Sequence, residues 1–280
     1  MSDRESTQTK FQALKAAVRE TGGLAVAFSG GVDSTFLAAV AASELGERAL
    51  AVTALSPTYA RHEQREAEEL AARIGIRHVQ VASDELAIAG FAENPPDRCY
   101  FCKRELFATV GRIAREHGLE TIADGTNADD LADHRPGLRA AREAGVRMFL
   151  LEAGLTKEEV RALSREMGLP TADKPAQACL ASRFPYGTRI TAAKLAAVDA
   201  VERAVRAHGI RQVRVRHHGD TARIEVPPEA LAALCAEPAR GAVVQAAKAA
   251  GFAYVAADLQ GYRTGSLNEL LHTGHPPHAQ

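Results

Sequence analysis

Residues 24–34 read Leu-Ala-Val-Ala-Phe-Ser-Gly-Gly-Val-Asp-Ser, an apolar run followed directly by two glycines between serines. The apolar run is typical of a buried strand, and the residues after it begin a segment with the pattern of a helix. Glycines allow the backbone to approach an anion closely, and a helix N-terminus presents N–H groups and the positive end of its dipole. We therefore expect an anion-binding turn here, to which Ser29 and Ser34 add hydroxyl donors.

Strand-like and helix-like segments alternate around this turn through the first 170 residues. Apolar runs predict strands at Leu24–Phe28, Ala49–Leu55, His78–Ala82, Thr121–Asp124 and Met148–Ala153. Amphipathic segments with apolar residues at helical spacing lie between them. Strands that alternate with helices through short connections predict an α/β fold with a doubly wound, mostly parallel sheet.

The alternation stops near residue 170, where prolines and glycine replace any regular period. This composition is typical of an ordered loop or linker. Beyond it we expect a helix over 192–208, a hairpin over 212–226, a helix over about 240–250 and a strand over 252–257. The chain is therefore expected to comprise an anion-binding α/β domain (1–170), a cysteine-bearing linker (171–190) and a small α+β domain for substrate binding or oligomerisation (191–280).

The 280-residue chain carries 34 Lys and Arg against 35 Asp and Glu, which gives a formal net charge of −1. A dedicated nucleic-acid-binding protein is expected to be strongly basic, so this balance argues against one. No stretch approaches the roughly 18 consecutive apolar residues of a membrane span, and residues 1–10 lack the apolar core of a signal peptide. We expect a soluble cytoplasmic protein whose four cysteines are thiols or ligands rather than disulfides.

A second polar segment, Ala-Asp-Gly-Thr-Asn-Ala-Asp-Asp at residues 123–130, follows an expected strand. It therefore lies at the carboxyl edge of the sheet, where open α/β sheets bind ligands. Its carboxylates are the hard oxygen ligands that Mg²⁺ on a phosphate requires. The alternative is that these Asp and Asn side chains only cap the next turn of the chain.

The linker contains a lone cysteine within Pro-Ala-Gln-Ala-Cys-Leu-Ala-Ser-Arg-Phe, residues 175–184. The thiolate is the attacking form of a cysteine, and a nearby cation such as Arg183 would favour that form of Cys179. The alternative role of Cys179 is that of a small buried apolar residue.

The expected hairpin carries a pair of arginines. Arg214 and Arg216 alternate with valines, which places both guanidinium groups on one face of a strand. Two arginines on one face suit a phosphate, and Glu202 on the preceding helix is a weaker candidate for the same pocket. The alternative is an ordinary solvated strand face.

Taken together, these segments resemble the LarE-type ATP-dependent sulfur transferases, members of the PP-loop ATP pyrophosphatase superfamily, over nearly the whole chain. The turn is neither a Walker A loop nor a Gly-x-Gly-x-x-Gly turn. The stretch Cys-Leu-Ala-Ser-Arg at residues 179–183 is the most specific part of the resemblance. The resemblance implies Mg²⁺ near Asp33 and at Asp130, with Asp129 as the second choice. The ATP-binding residues that it implies are Ser29, Gly30, Gly31, Asp33, Ser34, Gly125, Thr126 and Asn127.

The resemblance also implies an activity. Family members adenylate a carboxylate of a pyridinium mononucleotide derived from nicotinic acid and convert it to a thiocarboxylate. The product becomes the nickel-pincer nucleotide cofactor of lactate racemase. By this resemblance Cys179 and Asp33 act in catalysis, and the chain forms a homo-oligomer, which is a hexamer in relatives. The residues implied in binding the mononucleotide are Arg183, Glu202, Arg214 and Arg216; neither nucleic acid nor a membrane is an expected partner.

The cysteines pose the question of the sulfur source. In the sacrificial branch of the family, the residue matched by Cys179 gives up its own sulfur and is left as dehydroalanine. Cys99 and Cys102 form a single Cys-x-x-Cys motif, which lacks the second pair of a zinc site and the preceding strand of a thioredoxin-like pair. Three-cysteine relatives carry a [4Fe–4S] cluster with one open iron, and we favour that role for Cys99, Cys102 and Cys179. Cys235 is expected to be inert packing in a helix.

Other functions use part of the same pattern. An amide-forming PP-loop ligase of the NAD synthetase type shares the two ATP-binding segments but does not need the three cysteines. A tRNA thiolation enzyme would need a basic surface, which a net charge of −1 does not favour. A nucleotide-binding regulator without catalysis need not retain Ser29, Asp33 and Asp130.

Overall fold

The computed structural model describes residues 3–132, 136–175, 178–263 and 265–266. Contacts group the chain into two compact units, formed by residues 1–84 with 97–177 and by residues 85–96 with 178–280. The second unit begins inside the linker expected from the sequence, and it also takes in residues 85–96. Residues 176–177 of the expected linker and 267–280 of the expected small domain lie outside the described residues.

The described residues form helices and strands whose bounds are as follows. The helices are α1 (Asp3–Glu20), α2 (Val32–Leu45), α3 (Arg61–Ile74), α4 (Arg98–Glu116), α5 (Pro136–Glu143), α6 (Phe149–Glu152), α7 (Lys157–Glu166), α8 (Ala192–Arg206), α9 (Leu231–Cys235) and α10 (Ala239–Ala249). The strands are β1 (Leu24–Ala27), β2 (Ala49–Leu55), β3 (Arg77–Ala82), β4 (Thr121–Ala123), β5 (Arg214–His218), β6 (Thr221–Glu225) and β7 (Tyr254–Ala257).

The first unit contains a four-stranded, fully parallel sheet in the order β3-β2-β1-β4. Side chains of the buried strand β1 alternate between two hydrophobic cores. Leu24 and Val26 join the core that includes α1, α2 and α7, whereas Ala25 and Ala27 join the core that includes α4 and α5. Helices therefore cover both faces of the sheet, and the predicted doubly wound α/β fold is confirmed.

The order of the strands determines where a ligand binds. The chain passes from β1 to β2 on one side and later returns to β4 on the other side of β1. The loops that follow β1 and β4 therefore run in opposite directions from the carboxyl edge of the sheet. The crevice between two such loops is a topological switch point, where open α/β sheets bind ligands. The two polar segments, 29–34 and 123–130, follow these two strands.

The predicted strand Met148–Ala153 is wrong, because these residues form the short helix α6. Only Arg147 bridges to the sheet, opposite Ala123. The Glu152 side chain then turns back to accept the Met148 N–H at 3.1 Å, which satisfies a donor at the start of the helix. A short apolar run does not distinguish a buried helix turn from a buried strand by its period alone.

The second unit contains a three-stranded sheet in the order β5-β6-β7, in which β5 and β6 form the predicted antiparallel hairpin. Strand β7 pairs parallel to β6, and helices α8 and α10 pack together beside the sheet. The first hairpin strand is shifted from the predicted 212–216 to Arg214–His218, because the tight turn at Gly219 and Asp220 lets the pairing extend to His218 and Thr221. Among the helices of the described residues, none combines the length and the hydropathy needed to cross a bilayer.

Candidate active site

The turn after β1 is closed by its two serines. The Ser29 N–H donates to Ser34 Oγ at 3.2 Å, and the two hydroxyl oxygens lie 3.0 Å apart. Gly30 has a φ of +66°, and a Cβ at this position would lie 3.3 Å from the Ala67 backbone of α3. Helix α2 begins after Gly31, whose lack of a side chain leaves the first N–H groups without a side-chain cap. The turn thus offers backbone donors and a helix N-terminus to an anion.

The segment after β4 packs directly on this turn through Gly125. A Cβ on Gly125 would lie 2.8 Å from the Ser34 backbone nitrogen and 3.0 Å from the Asp33 carbonyl carbon. Asp124 Oδ1 accepts the Thr126 N–H at 3.0 Å, which fixes the conformation of the segment. The structure therefore brings the two predicted ATP-binding segments into contact.

Replacing Gly125 by alanine is expected to separate the two segments. Because the added methyl group would meet backbone atoms, we expect the free energy of unfolding to fall by about 1–3 kcal/mol. ATP binding should weaken by about tenfold or more, which corresponds to ~1.4 kcal/mol. Urea unfolding and calorimetric titration with ATP measure the two effects.

Gly111→Ala is the matched control, because a Cβ there meets its nearest atom, Arg115 Nη1, at an ordinary 3.5 Å. It lies inside α4, where alanine is favoured over glycine by about 1 kcal/mol. ATP affinity equal to that of the unchanged chain in Gly125→Ala would contradict the assigned contact.

Asp33 lies in the first turn of α2 with one satisfied and one unsatisfied oxygen. Oδ2 pairs with the Lys157 ammonium, and Oδ1 is buried without a hydrogen-bond partner. A buried, unpaired carboxylate oxygen is costly unless a ligand satisfies it. This oxygen fits a hard cation such as Mg²⁺.

Asp129 and Asp130 are both engaged by the backbone. Asp130 Oδ2 accepts the Asn127 N–H at 3.0 Å, and Asp129 Oδ2 accepts the Lys157 N–H at 2.9 Å. Asn127 Oδ1 in turn accepts the Asp129 N–H at 3.0 Å. These side chains therefore do accept backbone N–H groups of the turn, which is the alternative role that the sequence left open. A carboxylate has about four lone-pair sites, so accepting an N–H group does not prevent it from binding a cation.

No three His, Cys, Asp or Glu side chains converge on a metal position in the described part of the chain. Mg²⁺ at a triphosphate is usually bound by one or two carboxylates, with the remaining ligands from phosphate and water. Asp33 and Asp130 are the carboxylates that would take this role.

Two lysines flank the turn, and the sequence analysis did not identify either. Lys157 pairs with Asp33, and the Lys174 ammonium, whose side chain is 13% exposed, donates to the Gly30 carbonyl at 3.0 Å and to Glu66 at 2.8 Å. A lysine in the first turn of a helix, as Lys157 is in α7, opposes the helix dipole. That mismatch is a sequence signal from which Lys157 could have been found, whereas no local pattern distinguishes Lys174.

The cysteines differ in their surroundings, and none is in a disulfide. Cys99 is exposed and Cys102 half-buried in the first turns of α4, where a spacing of three residues places them on one face. Cys179, in the second unit, is half-buried just before a 3-10 turn over Leu180–Arg183. Cys235 lies at the end of helix α9 as expected, but the prediction that it packs there is wrong, because Cys235 is exposed and Leu234 is buried instead.

Arg183 holds the backbone around Cys179. Its Nη1 donates to the Ala178 carbonyl at 2.7 Å and to the Cys179 carbonyl at 3.2 Å. Its Nε and Nη2 form a bidentate ion pair with Glu202, donating to Oε1 at 2.7 Å and to Oε2 at 2.9 Å. Arg183 is only 2% exposed and Glu202 is fully buried. This buried ion pair therefore holds the backbone of the cysteine segment in place through the Arg183 hydrogen bonds.

Glu202 is strongly held in its charged form. Burial raises its pKa, but the positive charges of Arg183 and Arg206 and the Val215 N–H outweigh burial and lower the pKa to about 2. Because the folded-state pKa lies below the ordinary value of 4.5, the stability that Glu202 contributes is present above about pH 4.5. That contribution is lost as the pH falls towards 2.

Glu202→Gln is expected to destabilise the second unit by about 3–5 kcal/mol at neutral pH, since it leaves the buried Arg183 charge uncompensated. The difference from the unchanged chain should shrink below pH 4.5, which urea unfolding at several pH values measures. Glu116→Gln is the control, because its pair with Arg112 is exposed and should cost under about 1 kcal/mol. A loss as small as that of the control would contradict the assigned role of Glu202.

The paired arginines of β5 are buried, with exposed fractions of 5% for Arg214 and 7% for Arg216, so the solvated strand face is wrong. Arg216 donates to the Ser182 carbonyl at 2.8 Å and to Glu225 at 2.7 Å. Burial and the charges of Arg183 and Arg216 lower the pKa of Arg214 to about 10. An anion bound beside Arg214 would offset the repulsion between its charge and those of Arg183 and Arg216.

Comparison with known proteins identifies the family of the chain. The family model described as asparagine synthase matches residues 11–203. The chain is 45% identical to an uncharacterized protein of Synechocystis sp. over 264 residues, which cover 94% of this chain and 98% of the relative. It is 38% identical to the pyridinium-3,5-bisthiocarboxylic acid mononucleotide synthase of Lactiplantibacillus plantarum, over 94% of this chain and 95% of the relative. The chain belongs to the LarE family of ATP-dependent sulfurtransferases.

More distant relatives of this LarE-type chain include a tRNA-specific 2-thiouridylase of Azorhizobium caulinodans, which is 30% identical over 187 residues. That alignment spans 54% of this chain and 48% of the relative. It supports a shared ATP-utilising domain and leaves about half of the tRNA enzyme unmatched.

Proposed function

We propose that the chain adenylates a carboxylate of a pyridinium mononucleotide and replaces its oxygen with sulfur, giving the thiocarboxylate of a nickel-pincer nucleotide cofactor. The observation that carries this proposal is that one chain combines an anion-binding turn for ATP with a thiol, Cys179, whose backbone is bound by Arg183. The similarity to the Lactiplantibacillus plantarum synthase over 94% of the chain supports the choice of substrate.

In the first step, the turn binds the β- and γ-phosphates while a carboxylate oxygen of the substrate attacks the α-phosphorus. The bond from that phosphorus to the bridging oxygen breaks, and pyrophosphate leaves with the electron pair. Ser29, Ser34 and the backbone of Gly30 and Gly31 donate to pyrophosphate, and Lys157 and Lys174 balance its charge.

Two further sets of residues complete the ATP site. Gly125, Thr126 and Asn127 border the nucleotide at the switch point. Asp33 and Asp130 would hold Mg²⁺, which neutralises the triphosphate when it is bound. Because Lys157 pairs with Oδ2 of Asp33, the unpaired Oδ1 is the oxygen that would face the cation.

In the second step, sulfur attacks the acyl carbon, and AMP leaves with the former carboxylate oxygen. If Cys179 is itself the donor, its thiolate forms a thioester. Loss of the Cα proton then breaks the Cβ–S bond and leaves dehydroalanine and the thiocarboxylate. Arg183 fixes the Cys179 backbone for this attack.

We propose that Cys99, Cys102 and Cys179 instead jointly carry a [4Fe–4S] cluster. Cys99 and Cys102 fit two ligand positions, since they lie one turn apart on α4. Among the described residues, no three metal-ligating side chains are assembled. The proposal of a cluster is therefore supported by the thiol chemistry of the three cysteines and by the resemblance to three-cysteine relatives. When bound, such a cluster would accept a sulfide at its open iron and allow repeated turnover.

The substrate phosphate is proposed to bind at Arg214 and Arg216, with Arg183 and Glu202 holding the surrounding segment. A net charge of −1 fits a small nucleotide better than RNA. We further propose a cytoplasmic homo-oligomer, a hexamer by family resemblance.

The test is to incubate the anaerobically purified chain with ATP, Mg²⁺ and the dicarboxylate mononucleotide. Pyrophosphate release that depends on the mononucleotide, together with a product in which sulfur replaces oxygen in the mass spectrum, supports the function. An amide formed when ammonia is added would instead support a ligase of the NAD synthetase type.

Iron analysis and turnover number separate the two sulfur sources. About four irons per chain and repeated turnover with added sulfide support the cluster. Loss of one H₂S from the mass of Cys179 after a single turnover supports sacrifice. Cys99→Ala abolishes repeated turnover in the first case and is nearly silent in the second.

A further inference from the structure

Two carbonyl groups at the centre of the turn after β1 accept hydrogen bonds from side chains that lie outside the turn. The Tyr59 hydroxyl donates to the Ser29 carbonyl. The Lys174 ammonium donates to the Gly30 carbonyl at 3.0 Å. Tyr59 lies in the loop after β2 and Lys174 in the segment after α7, both within the first unit. These two residues are the carbonyl anchors of the turn.

The carbonyl groups on either side are also bound by donors of the protein. The Phe28 carbonyl accepts the Thr53 hydroxyl at 2.8 Å, and the Phe28 N–H donates to the Val52 carbonyl at 2.8 Å. The Gly31 carbonyl accepts the Thr35 N–H at 3.0 Å, which is the first hydrogen bond of α2. All carbonyl groups from residue 28 to residue 31 therefore meet a donor of the protein.

The peptide bonds of the turn must then direct their N–H groups the other way. They are trans, and the N–H of a planar trans peptide points opposite to its C=O. The Ser29 carbonyl shares its peptide with the Gly30 N–H, and the Gly30 carbonyl shares its peptide with the Gly31 N–H. Among the described residues, the Gly30 N–H has no acceptor, and the Gly31 N–H reaches Ser29 Oγ at a long 3.4 Å. Both N–H groups thus point away from the carbonyl anchors and can donate to an anion.

The two glycines make this orientation easy to lose without anchors. Glycine adopts positive and negative φ angles with similar ease, so the peptides beside Gly30 can rotate at little steric cost. Rotation would turn a carbonyl oxygen, with its partial negative charge, towards a phosphate. It would also remove an acceptor from Lys174, whose side chain is only 13% exposed, and an unsatisfied buried donor is costly. The anchors therefore favour the orientation that receives an anion.

Further hydrogen bonds hold the anchors themselves in place. The Tyr59 N–H donates to the Ser56 carbonyl at 3.1 Å, and the Gln64 side chain donates to the Tyr59 carbonyl at 3.2 Å. Lys174 also donates to Glu66 at 2.8 Å. Burial raises the pKa of the Tyr59 hydroxyl above its ordinary value of 10, so this group keeps the proton that it donates.

We propose that Tyr59 and Lys174 are positioning residues that orient the peptide planes of the turn, so that the Gly30 and Gly31 N–H groups face pyrophosphate before it binds. This inference rests on the proposed function, in which the turn binds the β- and γ-phosphates of ATP. Lys174 adds a positive charge to its positioning role. Tyr59 is neutral, so its replacement tests positioning by itself.

The test measures the binding of inorganic pyrophosphate with Mg²⁺ to the full-length chain by calorimetric titration. Tyr59→Phe keeps the ring and removes the hydroxyl that donates to the Ser29 carbonyl. We expect the dissociation constant for pyrophosphate to rise about tenfold, because the turn then holds the receptive orientation in only part of the molecules. Lys174→Met loses a donor and a positive charge, so it should raise the constant by more than about tenfold.

Tyr100→Phe is the matched control. The Tyr100 hydroxyl donates to Glu143 at 2.6 Å, so this variant loses a tyrosine hydrogen bond that does not involve the turn. We expect it to bind pyrophosphate with the affinity of the unchanged chain.

An NMR signal from the peptide itself separates positioning from a general loss of structure. The dipeptide Ser-Gly occurs once in the chain, at Ser29 and Gly30. Cell-free synthesis with serine carrying carbon-13 in its carbonyl and glycine carrying nitrogen-15 therefore labels one peptide bond at both atoms. Without ligand, we expect its amide signal in Tyr59→Phe to be displaced or broadened by a second orientation. Saturating pyrophosphate should return it to the position of the bound, unchanged chain, and Tyr100→Phe should match the unchanged chain in both states.

The outcomes distinguish this inference from the proposed function. Unchanged pyrophosphate affinity in Tyr59→Phe or Lys174→Met overturns the inference, and so does an unliganded Tyr59→Phe signal identical to that of the unchanged chain. Failure of the unchanged chain to bind pyrophosphate also overturns it. The expected losses of affinity in a chain that forms no thiocarboxylate would support the inference and count against the proposed function alone.

Discussion

Replacing Cys179 by serine is expected to abolish thiocarboxylate formation, with a loss of at least about 10³-fold, because a serine hydroxyl is neither a thiolate nor a cluster ligand. The same variant should still exchange pyrophosphate with ATP in the presence of the mononucleotide. The turn proposed to bind ATP belongs to the first unit, and Cys179 belongs to the second. Product formation is followed by mass spectrometry, and exchange by labelled pyrophosphate.

Cys235→Ser is the matched control for this substitution, since Cys235 is exposed and lies at the end of a short helix. It should form product at the rate of the unchanged chain. Continued thiocarboxylate formation by Cys179→Ser would show that sulfur reaches the acyl adenylate without this residue, which contradicts its assigned role.

Asp33→Asn is expected to have the second largest effect, a loss of about 10²–10³-fold in pyrophosphate exchange, similar to the loss of one preorganised electrostatic contact. The neutral amide can neither pair with Lys157 nor satisfy a divalent cation at the buried Oδ1 position. The variant should also need a higher Mg²⁺ concentration for half-maximal ATP binding, which calorimetric titration at fixed ATP measures.

The control here is Asp173→Asn, because the Asp173 side chain is 76% exposed and its carboxylate already pairs with Arg165 at 2.8 Å. Its exchange rate and Mg²⁺ requirement should equal those of the unchanged chain. An Asp33→Asn variant with the same Mg²⁺ requirement as the control would contradict a cation site at Asp33.

The sheet and the turn after β1 could be predicted because they depend on residues that are close in sequence. The apolar run of β1, the two glycines and the start of α2 form one continuous stretch, and its period changes where the strand ends. The segment at Gly125 could be placed at the same edge because parallel strands end on the same side of a sheet. Helix α6 was missed because its apolar run is too short for a period to distinguish it from a strand.

Other parts of the site depend on residues that are far apart in sequence. Lys157 lies 124 residues from Asp33 and Lys174 lies 144 residues from Gly30, so no local pattern relates them. The alternation of Arg214 and Arg216 predicted a shared face, but not that this face is buried beside the Arg183–Glu202 pair. The Asn94 side chain donates to carbonyl groups about 90 residues away, so no local pattern indicates these hydrogen bonds.

If sulfur is transferred to a carboxylate that has first been adenylated, one oxygen of that carboxylate must end in AMP, and isotope labelling follows this oxygen. The mononucleotide is prepared with oxygen-18 only in its carboxylates and is converted by the chain with unlabelled ATP in unlabelled water. Because the oxygen bonded to the α-phosphorus stays there when sulfur attacks the acyl carbon, we predict one labelled oxygen in AMP for each thiocarboxylate formed. Thiocarboxylate formed together with unlabelled AMP would show that the carboxylate is not adenylated before sulfur is transferred.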